Sequence, residues 1–221
     1  MTITEPESSA IDDVATRWRG TASRSRALTE LARLHLASRR VPAALAVFVA
    51  CAAVFQALVR CYDQGALARQ VPAIVEAAAA GIVSVSARSP FGESERATGR
   101  WLPFLRLAAS VTLSAAAFAM LAAGSAGVNL LGGELALLRN LAGMVGVGLL
   151  AASLLGGYLS WLGPIAFLAL AEEAISSGWH SPWTWPARPA DDVGAAICAA
   201  IVFCAGLAVI AIRGARTTSR E

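Results

Sequence analysis

Lysine is missing from the 221 residues; all 18 basic side chains are arginine. A P-loop needs its Lys against the β/γ-phosphates, so this chain carries none, and Schiff-base chemistry through a lysine is excluded too. Histidine is scarce, and two residues cannot build a His-rich metal site. The cysteines Cys51, Cys61, Cys198 and Cys204 form no CxxC pair and lie in or at the end of apolar runs. They read as small apolar side chains, not as a disulfide framework. An early apolar run is lacking as well. The first 40 residues are polar and charged, so no signal peptide is expected and the first apolar run reads as a retained span.

Catalytic patterns fail in the same way. Glu172-Glu173 suggests the EExxxR of one class of intramembrane protease, but Ser177 stands where the Arg belongs and the only later His is His180. HExxH is absent, and GSAG at 124–127 does not match the GxSG of a rhomboid-type nucleophile. No enzymatic role, metal or cofactor is expected in this chain.

What is abundant is apolar surface. The chain is 57% hydrophobic with mean hydropathy +0.60, which places it as an integral membrane protein. Its Ala-, Gly-, Arg- and Pro-rich usage reads as the coding bias of a GC-rich bacterium, and the expected location is a bacterial plasma membrane. The expected fold is an all-α polytopic membrane helix bundle with about six transmembrane segments, preceded by an interfacial amphipathic helix. A polar tail covers 1–26. In ALTELARLHLASRR (27–40), Leu28, Leu31 and Leu34 form a stripe at helical spacing, which predicts a helix lying in the interface. Apolar runs predict spans at about 41–58, 71–87, 103–127, 141–157, 161–175 and 193–212. A single helix over 141–175 would be roughly 50 Å long, too long for a core of about 30 Å. GGYLSWLGP (156–164) supplies the break, leaving a fifth segment that is short or re-entrant. Dense small residues, such as GMVGVG (143–148) and the AAAA run (77–80), favour close helix approach.

The arginines orient the bundle. With both ends cytoplasmic, every Arg except Arg60, Arg69, Arg139 and Arg188 falls on the cytoplasmic side, including those of the tail 213–221. Several polar groups then stand out. Glu76 lies six residues into an apolar run, where it either faces protein or water or marks the interface because the span starts later. Glu172 and Glu173 close the fifth segment as solvated carboxylates or as the lining of an exit path. GWHSPWTWPARP (178–189) holds Trp179, His180, Trp183 and Trp185 on the outer side, as an aromatic belt or an outer lid. Its prolines keep it extended until Asp191 and Asp192 can cap the last span. SPFGESERATGRWLPFLRL (89–107) is a mixed-charge cytoplasmic loop, either an ordinary connection or a docking helix for a protein partner.

These elements together resemble the permease subunit of an ATP-binding-cassette exporter, of the small six-span, type-2 kind. The likeness covers residues 27–215: ALTELARLHLASRR before the first span, FGESERATGRWLP between spans two and three, the Gly-rich LLRNLAGMVGVGLL, and a Trp/Pro stretch before the last span. The resemblance implies that Arg33, Arg39 and Arg40, with Glu93, Glu95, Arg96 and Arg100, dock a cytoplasmic ATP-binding subunit. It implies that ATP and Mg sit on that partner, that a second permease copy or a related permease completes the path, and that nucleic acid is no partner. The family tends to insert re-entrant helices between spans five and six. Here that interval is only Ile175 to Asp192, so such an element would have to use the fifth segment itself. Two other classes stay open: a non-transporting scaffold or immunity protein, and a proton-coupled carrier working through Glu76.

Overall fold

The computed structural model describes residues 41–61, 66–87, 102–127, 133–179 and 181–216. The expected tail 1–26, the interfacial helix 27–40 and the loop 88–101 lie outside the described residues. Those described form six α-helices: α1 Val41–Cys61, α2 Ala66–Ser86, α3 Leu102–Gly124, α4 Gly133–Leu155, α5 Leu162–Ser176 and α6 Val193–Arg213. A 3-10 turn, Trp185–Ala187, stands between α5 and α6. The protein is thus an all-α membrane helix bundle. Helices are the only open-ended way to satisfy backbone N–H and C=O groups in surroundings that offer them no water.

Four of the helices are long and apolar enough to cross a membrane: Ala43–Cys61 within α1, then α3, α4 and α6. The other two are shorter as apolar elements. In α2 only Gln70–Ser86 is apolar, and α5 has 15 residues, about 22 Å at the rise of an α-helix. The expected short fifth segment is therefore present, and among the described residues four of the six helices have the length and apolarity of a full crossing. Two helices also begin earlier than hydropathy alone predicts. α4 starts at Gly133, not at 141, with Glu134 in its first turn beside the positive end of the helix dipole. α2 starts at Ala66, not at 71. Arg139 and Asn140 consequently lie inside a helix instead of in the loop before it.

α4 is the axis of the bundle. Leu137, Leu141, Met144, Val145, Leu149 and Ala152 are all buried along it, and α6 and α2 are its most extensive neighbours. Backbones approach most closely where side chains vanish. A Cβ placed on Gly146 would stand 2.5 Å from the Val202 carbonyl oxygen, and one on Gly206 would stand 2.6 Å from that of Gly146. α2 contributes Ala77, Ala79, Ala80 and Val83, all buried, to the same core.

The helices share two ends. Ala43, Ala44 and Val47 of α1 line one apolar groove with Val85 and Ser86 of α2 and with Trp161 and Ile165, so α1 begins where α2 ends and α5 begins. Gly214, just after α6, lies against the Arg106 guanidinium of α3, and the Arg216 amide donates to the Ala152 carbonyl of α4 at 3.2 Å. The start of α1, the end of α2, the start of α3 and the end of α6 therefore gather at one end, the entry end. The opposite end carries the Trp185–Ala187 turn.

If the α4–α6 crossing sets the packing, Gly146→Leu should destabilise the bundle by about 1–3 kcal/mol through overpacking. Leu154→Ala, on a side chain 64% exposed, should stay within about 0.5 kcal/mol. Thermal melts of the two variants in the same detergent measure the contrast.

Candidate functional site

The opposite end is organised by one buried cation. Arg139 lies in the second turn of α4 and is 7% exposed. Its Nη1 donates to the Pro189 carbonyl at 2.6 Å, and its Nη2 donates to the carbonyls of Trp185 at 2.7 Å and Arg188 at 2.8 Å. Its Nε donates to Asn140 Oδ1 at 3.2 Å. A planar fork with five donors suits such a set of carbonyls, and a single ammonium would not.

The local sequence explains why those carbonyls are available. Pro186 and Pro189 bring no N–H and limit the segment to short turns, so the Trp185 and Pro189 carbonyls accept one backbone N–H each, at 3.2 Å, and keep a lone pair for the guanidinium. Arg188 pairs with Asp192 at 2.6 Å. Asp192 then caps α6, accepting from the Ala195 amide at 3.0 Å. These two bonds, the Ala195 N–H first, hold the Asp192 carboxyl below the usual carboxylate range.

Trp185 fills the space beneath the clamp. It is 1% exposed and stacks on Phe167 of α5, with ring centroids 4.4 Å apart. Gly143 makes room for it, since a Cβ there would come within 2.6 Å of the indole. Ala195 and Ala199 of α6 close the other side, with Cys198 packed against them. The Trp185 indole N–H has no hydrogen-bond partner.

Glu76 borders the same network from α2. It is 2% exposed. α2 and α4 run the same way with Ser84 against Gly148, which sets Glu76 level with Asn140, eight residues earlier on each helix. The second carboxyl oxygen, Oε2, has no partner. The longer α2 settles the position of this residue: it faces protein inside the bundle and does not mark the start of the span.

The other expected site residues are distributed differently. Trp179 is 62% exposed, as an aromatic at an interface would be. Trp183 is half-buried and meets Phe167 edge-on at 6.4 Å. Trp185 is no belt residue but a plug. Glu172 and Glu173 are exposed on α5 and do not join Glu76. Arg33, Arg39, Arg40, Glu93, Glu95, Arg96, Arg100 and His180 lie outside the described residues. Sequence reasoning missed Arg139, Asn140, Gly143 and Phe167 as one unit. The available signal was the Arg-Asn pair inside LLRNLAGMVGVGLL, a charged residue set in an apolar run. Comparison with known proteins finds no family model, no curated protein and no solved structure that matches the chain.

Trp185→Ala should cost about 3–5 kcal/mol, the usual loss for emptying a fully packed aromatic site. Trp179→Ala should change stability little; paired thermal melts separate the two.

The Asp192 carboxyl gives a pH test with a definite sign. Because its folded value is depressed, its contribution is complete above the ordinary value of about 3.9 and disappears as pH falls toward the folded value. Acid titration of intrinsic Trp fluorescence should show this loss in the wild type, and Asp192→Asn should abolish that component.

Proposed function

We propose that this chain is the membrane-spanning permease subunit of an ATP-driven exporter of the ATP-binding-cassette class. In this reading it sits in a bacterial plasma membrane with both ends of the chain cytoplasmic. A separate subunit binds ATP and Mg, and a second permease, identical or related, faces this one across the transport path.

The observation that carries the reading is the common entry end. The resemblance assigns ATPase docking to 27–40, which leads into α1, and to 91–100, which joins α2 to α3. The start of α1, the end of α2 and the start of α3 gather at that one end, together with the end of α6. Chain segments that join the bundle at one end suit a single cytoplasmic partner that pushes on the bundle from that end. ATP-driven closure of the partner subunits would move the entry end, and α4, packed along both α6 and α2, would carry the motion to the clamped segment.

The test is whether an ATPase subunit co-purifies with the full chain from native membranes. Replacing Glu93, Glu95 and Arg96 together by Ala should lower ATPase recovery by about tenfold or more, the scale of losing desolvated charge contacts. Isolation of the wild-type chain as a stable monomer that never retains an ATPase sinks the proposal.

A further inference from the structure

We propose that Arg139 is a two-position latch. In the described position it holds the Trp185–Pro189 segment shut through three carbonyls. In the other it turns to the unpartnered oxygen of Glu76 and lets the segment lift. The device lies within one chain and does not depend on an ATPase being bound.

Three observations lead there. First, the clamp is the segment's polar tie to α4, beside the packing of Trp185 against Ala195 and Ala199. Beyond the Arg139 bonds to Trp185, Arg188 and Pro189, the segment is anchored by the Arg188–Asp192 pair and the Trp185–Phe167 stack. Second, an alternative partner stands within the same network. Asn140 accepts from Arg139 through its oxygen, and α2 and α4 run the same way with Ser84 against Gly148, so Glu76 and Asn140, each eight residues earlier, stand level and one short side chain separates cation from carboxyl. Third, the alternative partner is incomplete. Glu76 Oε2 is buried without a hydrogen bond, and a buried acceptor left open is costly. A guanidinium moving to it satisfies that oxygen and leaves the Arg188 carbonyl without its donor, while the Trp185 and Pro189 carbonyls keep the Arg188 and Asp192 amides. Each position therefore meets a need that the other leaves unmet, which is what a bistable element requires.

The consequence is local. With its carbonyls released, the segment lifts Trp185 from Gly143 and uncovers the face of α6 beneath it. Cys198 packs against the cluster that holds Trp185 and serves as a native reporter of that opening.

The experiment labels Cys198 with a bulky polar maleimide in the detergent-solubilised full chain, with Cys51, Cys61 and Cys204 replaced by Ser. Arg139→Gln should raise the labelling rate by about tenfold or more, since the closed population loses its anchor. Glu76→Gln should slow labelling to about a third of the parent rate or less, because the carboxylate that competes for the guanidinium is gone. The double variant should label like Arg139→Gln alone, since Glu76 acts only through Arg139. A rate unchanged or increased by Glu76→Gln overturns the latch, because Glu76 would then be inert or a support of the closed state. Additive effects in the double variant overturn it as well. Should Arg139→Gln fail to fold, the Glu76→Gln rate decides alone.

Discussion

A guanidinium cannot be left alone in an apolar bundle, and much of the opposite end follows from that. Arg139 is carried inward by α4, where burying its charge without partners would cost several kcal/mol. Three backbone carbonyls and an amide oxygen supply those partners. To present the carbonyls, the chain between α5 and α6 has to fold toward the bundle and not run along its surface. Trp185 is drawn down with it, and the indole fits only because Gly143 has no side chain. Asp192, fixed by Arg188, then sets where α6 begins. One buried cation thus positions a turn, an aromatic plug and the start of the most apolar helix.

The two ends of the bundle have different characters. The entry end gathers the start of α1, the α2 and α3 termini and the end of α6, around an apolar groove. The opposite end is a polar network with an aromatic packed beneath it. Between them, α4 is in close contact with α6 through paired glycines and with α2 through alanines. Close backbone contact without interlocking large side chains suits a bundle whose ends must respond to one another. Glu76 keeps an open carboxyl oxygen and Trp185 an open indole N–H, so this end is where the packing is not fully committed.

Hydropathy made the bundle legible. Long Ala-, Val- and Leu-rich runs have one stable form in lipid, so the helical class and the approximate places of α1, α3 and α6 could be read directly. The short α5 was legible too, from Gly and Pro at 156–164. Glu76 could be singled out as an ionisable group within an apolar run, but not placed among partners, because burial depends on which helices face it. Arg139 was counted as one outer charge among four. That assignment followed from starting the fourth span after it, whereas the helix extends through the polar residues back to Gly133. Trp185 was read with Trp179 and Trp183 as one aromatic group, yet the three differ completely in burial. Composition treats equal letters equally; packing does not.

The sequence by itself determined that the chain is helical and membrane-embedded, that it carries neither a P-loop nor a His-rich metal site, and that its turns lie where Gly and Pro cluster. These follow from the solvent and from single-residue chemistry. Only the tertiary structure decided that Arg139, Asn140 and Glu76 form one network and that the Trp/Pro segment folds into the bundle. The reason is that a charge finds its partners across helices far apart in the chain, here from α2 to the residues before α6. No local pattern encodes which carbonyls will face it.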